Sequence, residues 1–144
     1  MEQSRKNLKI MSVVVLIFAA CSLVHMAAAL IFNAISVSTL PAGISPDMIK
    51  LIVAGVTILL LLPQVYVGLR GLQIAKNPVA TKGHIIWAVI LFVLSALSII
   101  DPIVGIVTNN NVSGNISMVL GVALELFVFY DFIKYANEVL NEAK

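Results

Sequence analysis

The residue of this chain best placed to do chemistry is a glutamate near the middle of a long apolar segment. Glu125 lies between Asn115 and Asn137, in a mostly apolar segment long enough to cross a bilayer. A charged side chain at that depth costs about 2.5–3.5 kcal/mol if it faces lipid, so it should face protein, a partner or a water-filled cavity. Such a carboxylate indicates either proton or cation handling or a polar contact between helices.

Other polar side chains fall inside the apolar segments and extend this set. His25 and Asp101 lie at matching heights of the first and third segments, and a serine precedes each by three residues. We expect His25 and Asp101 to approach one another inside a helical bundle; the alternative is that each reaches the outer headgroups separately. The intramembrane polar candidates are Glu125, His25, Asp101, Gln64, Ser22, Ser98 and Asp131.

Motifs for other kinds of chemistry are missing from the sequence. It contains no His/Cys cluster with metal-ligand spacing, no glycine-rich phosphate loop and no credible nucleophile with its base. We therefore expect a non-enzymatic protein with no cofactor and no metal. The single cysteine, Cys21, is expected to be a small apolar residue. The segment Phe18–Cys21 also resembles the lipobox of bacterial lipoprotein signals, but the chain stays apolar beyond it.

Composition gives the class of protein. Of the 144 residues, 60% are hydrophobic and 11% are charged, against about 45–50% and 25% in soluble proteins. The mean hydropathy is +1.06. These values predict an all-α integral membrane protein whose surroundings are the lipid bilayer. A net charge of +2 does not indicate nucleic-acid binding, because the basic residues lie at the ends of the apolar segments.

Four apolar runs predict four transmembrane helices in one domain, residues 1–144. A helix needs about 20 apolar residues to cross the hydrocarbon core, and the runs satisfy this at about residues 10–32, 47–70, 84–107 and 115–137. The connections are short, so we expect an up-down-up-down antiparallel bundle. The uncharged loop at residues 33–45 is expected to lie on the membrane surface.

Helix boundaries are predicted from capping residues. Ser45, Pro46 and Asp47 have the order of an N-cap, a first-turn proline and a first-turn acid, so the second helix should begin there. The segment from Arg70 to Gly83 is expected to be the middle linker. Asn115 is the expected N-cap of the fourth helix.

Basic residues predict the orientation. Eight lie on one side of the predicted spans and one, Lys50, on the other. Because cytoplasmic loops carry the excess of Lys and Arg, both termini should be cytoplasmic in a cell (inner or plasma) membrane protein. The eight are Arg5, Lys6, Lys9, Arg70, Lys76, Lys82, Lys134 and Lys144.

The first and third spans can be aligned as an internal repeat with an offset of 76 residues. The alignment places Ser22 on Ser98 and His25 on Asp101. A true duplication would give two helical hairpins related by an axis along the membrane normal, as in some transporters. Apolar segments also align easily by chance, so both explanations stay open.

Two functions are consistent with these residues. The first is a small interaction protein, either a homo-oligomer or an accessory subunit of a membrane complex, whose polar residues join helices. The second is a proton or cation channel, or a small-solute transporter, that uses Glu125 together with His25 and Asp101. The first requires polar groups that are paired and dry, or exposed on one face. The second requires them to face one aqueous route.

Overall fold

The computed structural model of the chain describes residues 2–31, 45–109 and 111–143. Within these ranges the chain is helical apart from short connections. The helices are α1 (Glu2–Ile31), α2 (Pro46–Lys76), α3 (Gly83–Ser98), α4 (Ile100–Val107) and α5 (Val112–Glu142). Four helical segments are long and apolar enough to cross a membrane, and α3 and α4 together form one of them. The expected all-helical architecture with four such segments is confirmed.

The start of α2 is confirmed by its capping geometry, and its end differs from expectation. The Ser45 hydroxyl accepts a hydrogen bond from the amide of Met48 at 3.3 Å, and Pro46 occupies the first turn. The helix then continues to Lys76, so the expected linker from Arg70 is helical over half its length. Proline disfavours helix in the residue before it, and Pro78 follows this helix end closely. The predicted surface loop at residues 33–45 lies almost wholly outside the described residues.

The turn into α5 corrects the prediction for Asn115. The helix begins at Val112, and Asn111 occupies the N-cap position in a left-handed conformation with φ 46° and no side-chain capping bond. Asn109 also has a positive φ, 55°. Asparagine tolerates this region better than most residues, so the pair closes a tight turn and α5 starts early. The Asn115 side chain instead occupies the space beside Gly105 of α4.

The third predicted span is an interrupted helix. The regular helix ends at Ser98 and resumes at Ile100, with Ile99 between them. Pro102 explains the position of the interruption, because it has no amide hydrogen to donate to the carbonyl four residues earlier, that of Ser98. The break therefore falls beside two of the polar candidates, Ser98 and Asp101.

The helices pack as a four-membered ring. Helix α1 contacts α2 and α5, and α3 contacts the same two helices. Helix α4 packs on α5, and within the described residues α1 touches neither α3 nor α4. The first and third candidate spans are therefore diagonal, and α2 and α5 meet across the other diagonal, where Gln64 bonds Glu125.

Burial divides the bundle into two halves. The packed half comprises residues 8–19, 61–74, 84–95 and 128–140, and the open half comprises residues 20–31, 46–60, 96–107 and 112–127. Wherever burial is described, every buried residue lies in the packed half except Pro102. In the packed half buried residues recur every three or four positions, as at Leu8, Ser12, Val15 and Ala19 of α1. Apart from Pro102, the residues of the open half whose burial is described are half-buried or exposed.

Two glycines allow α2 to approach its neighbours closely in the packed half. A Cβ atom at Gly68 would lie 2.6 Å from Cγ of Leu16 on α1. A Cβ at Gly71 would overlap Oγ of Ser12 and lie 2.6 Å from Cε2 of Phe132 on α5. Small residues at such contacts are typical of helix pairs in membranes, where close van der Waals packing holds helices together.

Candidate functional polar cavity

A cavity of about 660 Å³ opens among the helices of the open half. Side chains of three segments form its wall: α1, the α3–α4 segment and α5. The cavity brings together five of the seven polar residues that the sequence singles out. Its lining consists of Ser22, His25, Ser98, Asp101, Pro102, Met118, Gly121, Val122 and Glu125.

Helical spacing places these side chains on common faces. Ser22 and His25 are three residues apart on α1, and Met118, Gly121, Val122 and Glu125 follow one stripe of α5. Residues three and four apart on a helix lie on the same face, so each stripe presents its side chains together. The wall therefore combines carboxylates, an imidazole and hydroxyls with apolar side chains.

The interruption of the α3–α4 segment lies beside this wall. Ser98 and Pro102 both line the cavity. Because Pro102 has no amide hydrogen, the Ser98 carbonyl lacks its usual helical donor. The Ser98 hydroxyl donates to the carbonyl of Ser95 at 2.8 Å, which fixes that side chain. Non-helical backbone at membrane depth is tolerated where it lines a water-filled cavity.

Glu125 is held in place by two neighbouring helices. Its Oε1 accepts a hydrogen bond from Nε2 of Gln64 on α2 at 3.1 Å. Ser95 on α3 also lies beside this carboxylate. Glu125 lines the cavity, whereas Gln64 and Ser95 do not. The arrangement positions a carboxylate at the boundary between a polar space and the packed half.

The other end of the Gln64 amide is unsatisfied. Its Oε1 atom is buried and accepts no hydrogen bond. A buried acceptor without a donor costs about 1–3 kcal/mol, so native structures rarely keep one without a reason. A proton or cation held at the Glu125 carboxylate would offer this oxygen a partner.

His25 and Asp101 line the same cavity from opposite sides of the ring. Both residues are exposed, and within the described part of the chain no hydrogen bond or ion pair joins the two side chains. The structure places both residues on the wall of one cavity and shows no contact between them, so their direct approach stays a prediction.

Two buried aromatic residues of the packed half follow the cavity residues along α5. Phe129 and Phe132 lie on the same face of α5 as Glu125, four and seven residues later, and each is at most 1% exposed. The ring of Phe132 meets His84 edge to face, with 6.3 Å between ring centroids. The face of α5 that lines the cavity therefore continues into the packed half as buried aromatic side chains.

The remaining residues fall outside this arrangement or were missed in the sequence. Asp131 is half-buried on α5 and is not among the cavity residues. Ser95 and Gly121 were not predicted as site residues, because a serine or a glycine inside an apolar helix usually reflects packing. Their spacing supplies the missing signal: Ser95 lies three residues before Ser98, and Gly121 lies four before Glu125.

The ionisable residues are dispersed around the cavity. Across residues 2–31, 45–109 and 111–143, no three His, Cys, Asp or Glu side chains are grouped closely enough to hold a metal ion. His25, Asp101 and Glu125 line the shared cavity without forming such a group.

Comparison with known proteins found no matching family model, no matching curated protein and no matching solved structure.

Proposed function

We propose that this protein is a cell-membrane protein whose four spanning segments run antiparallel, with both termini in the cytoplasm. Support comes from the apolar length of the segments and from contacts between their ends. Ser4 and Arg5, at the start of α1, bond Glu138 and Glu142, near the end of α5, at 2.7 and 3.1 Å. The excess of basic residues on the side of the packed half gives the orientation.

We further propose that the protein conducts or transports protons or small cations through the cavity at Glu125. The observation that carries this proposal is the convergence of Glu125, Asp101 and His25 on one open polar cavity. An interaction function would require the polar groups to be paired with each other or displayed on one face. The transport proposal is supported instead by the single open cavity that Glu125 shares with His25 and Asp101.

The chemistry of the site supports a cationic rather than an anionic solute. Two carboxylate residues, Asp101 and Glu125, and two serines, Ser22 and Ser98, line the cavity. Oxygen ligands of this kind replace part of the water around a proton or a metal cation. The orphaned Gln64 Oε1 beside Glu125 is a further acceptor that such a solute would satisfy.

The burial of the packed half implies a gated pathway. Phe129 and Phe132 are at most 1% exposed and follow Glu125 toward the proposed cytoplasmic end of α5, so we expect a solute to reach Glu125 from the opposite side. Transport then requires the packed half to loosen transiently, which is the behaviour of alternating access around a fixed site. A permanently open channel is not part of the proposal.

Flux in proteoliposomes tests the function. Protein would be reconstituted with an H⁺-, Na⁺- or K⁺-sensitive dye inside, and a gradient of the matching ion would be imposed in turn. We expect one of these ions to move, and we expect Glu125→Gln to abolish its movement because the amide keeps the shape and removes the charge. Asp131→Asn is the matched control, since Asp131 is a carboxylate on the same helix outside the cavity.

A second variant tests the cavity itself. No atom lies within 4 Å of a Cβ added at Gly121, so Gly121→Leu should project into the cavity and slow flux without disturbing packing. Gly55→Leu is the control, because Gly55 on α2 has equally open surroundings and does not line the cavity. Flux that survives in both Glu125→Gln and Gly121→Leu would contradict the proposal.

An interaction function remains the second candidate, and α2 favours it. None of the residues in the most apolar 18-residue window of α2 is buried. Leu51, for example, is 76% exposed. With Cys21 replaced by serine, Leu51→Cys would form a disulfide-linked dimer in membranes if α2 meets a second copy. If single cysteines at several positions along α2 form no such dimer, α2 does not meet a second copy and its neighbour is lipid.

A further inference from the structure

A second binding site lies on the outside of the bundle, between α2 and α3. The space is an apolar groove of about 520 Å³. Residues of both helices line it, among them Leu59, Leu62, Pro63, Tyr66, Trp87 and Leu94. The groove is separate from the polar cavity, with which it shares no lining residue.

The shape of the groove fits an extended hydrocarbon chain. From Leu59 to Tyr66 the groove follows α2 for about 10 Å, at 1.5 Å of rise per residue. Pro63 lies in its middle, and a proline inside a helix disturbs the regular surface that a neighbour could pack against. Leu59 and Leu62 consequently stay 66% and 62% exposed although they face α3 across the groove.

One end of the groove changes from apolar to basic. Tyr66 also lines a smaller adjoining pocket together with Leu69, Arg70 and Gln73. Arg70 follows Tyr66 by four residues and so lies on the same face one turn further along α2. Tyr66 and Trp87 sit at this end, and aromatic residues of these types are enriched at the boundary between hydrocarbon and headgroups.

Arg70 retains hydrogen-bond donors for a ligand. Its Nη1 donates to Oε1 of Gln73 at 2.8 Å, which orients the side chain. A guanidinium has five N–H donors, so this single bond leaves several unused. Within the described residues no carboxylate forms an ion pair with Arg70. Arginine binds phosphate through paired N–H donors, which makes a phosphate group a suitable partner.

We propose that this groove binds an anionic phospholipid, with an acyl chain along α2 and the headgroup phosphate at Arg70. The site depends on membrane insertion and is independent of ion transport. The occupant follows from charge complementarity at the end of a chain-shaped groove. In the proposed orientation Arg70 faces the cytoplasmic leaflet, which carries the anionic lipids.

Native mass spectrometry of the full chain in detergent tests this site. Protein would be titrated with phosphatidylglycerol and with phosphatidylcholine of the same acyl chains. We expect phosphatidylglycerol to bind about fivefold tighter, the effect of one basic side chain near a membrane surface. Arg70→Gln should remove this preference, and Arg70→Lys should restore part of it. Lys76→Gln, which removes a cation of the same helix outside the groove, should leave the preference unchanged.

Two further measurements test whether the acyl chain contributes to binding. Leu94→Trp should fill the groove and weaken both lipids equally, because it occupies the space of the acyl chain. Glycerol phosphate at millimolar concentration should not displace the lipid if the chain contributes to binding. Equal affinity for the two lipids in wild type, or equal losses in Arg70→Gln and Lys76→Gln, would overturn the proposal. Thermal unfolding of each variant would show whether a loss of binding reflects a loss of fold.

Discussion

The packed and open halves of the bundle are built from the same residue types and differ in what their surfaces meet. Leu8 and Val15 of α1 are at most 1% exposed, whereas Leu23 and Val24 of the same helix are 50% and 68% exposed. In the proposed membrane setting lipid is as apolar as leucine, so hydrophobicity would not favour burial of one pair over the other. Close packing between helices is what distinguishes the packed half.

Glycine illustrates the difference. In the packed half Gly68 and Gly71 are covered by side chains of α1 and α5, while Gly55 and Gly121 in the open half have nothing within 4 Å of an added Cβ. One pair of glycines allows close contact between helices, and Gly121 leaves room in a cavity wall. The packed half therefore holds the fold together, and the open half is free to carry the polar cavity.

The largest expected effect comes from removing an aromatic ring of the packed half. Phe132 is fully buried, whereas Phe127 on the same helix is 58% exposed. We expect Phe132→Ala to lower the free energy of unfolding by about 2–3 kcal/mol, less than in a soluble core because lipid also solvates the apolar side chain. Phe127→Ala should change it by less than about 0.5 kcal/mol. Denaturant titration in detergent measures both. Equal losses would mean that the two halves are equally packed.

Alanine in place of glycine should have opposite outcomes in the two halves. Gly71→Ala forces a methyl group against Ser12 and Phe132, so we expect a loss of about 1–3 kcal/mol in unfolding free energy. Gly121→Ala meets open space and should be neutral or stabilising by up to about 1 kcal/mol. The same titration compares the two variants. A stable Gly71→Ala protein would show that α1, α2 and α5 are further apart than described.

The smallest effect is expected at the polar end of the packed half. Arg5 pairs with Glu142 at 3.1 Å, and the Arg5 side chain is 41% exposed. Exposed ion pairs contribute about 0–1 kcal/mol, so Arg5→Gln should cost less than about 1 kcal/mol and only at low salt. Lys6→Gln is the neighbouring control. If Arg5→Gln lowers the free energy of unfolding by more than this, and does so at high salt as well, the ion pair stabilises the fold about as much as Phe132 does.

Much of the fold was predictable because an apolar run of sufficient length predicts a helix long enough to cross a membrane. The four runs correspond to the helical segments, and Ser45 begins α2 as expected. The residues at which helices begin and end were less predictable. The chain from Arg70 to Lys76 is helical although it is polar, because the last turns of α2 pack through Ile74, which is 1% exposed. The early start of α5 depends on left-handed asparagines, which capping rules do not anticipate.

The polar residues of the site could be predicted because they stand out against an apolar background. The sequence singled out Ser22, His25, Ser98, Asp101 and Glu125, which line one cavity, and Gln64, which bonds Glu125. The position of Asp131 outside the cavity depends on helix rotation. Rotation could not be read from hydrophobic periodicity, because lipid-facing and core-facing positions are both apolar in these helices.

Thiol accessibility tests the central claim most directly, that the open half holds a water-filled cavity above a dry packed half. With Cys21 replaced by serine, single cysteines would be placed at Gly121 in the cavity, at Leu120 on the exposed apolar face and at Ala136 in the packed half. Each protein in liposomes would be treated with a small charged methanethiosulfonate. Because the hydrated thiolate is the reactive species, we predict that Gly121→Cys reacts at least roughly tenfold faster than the other two. Equal rates at positions 120 and 121, or rapid labelling at position 136, would contradict the account.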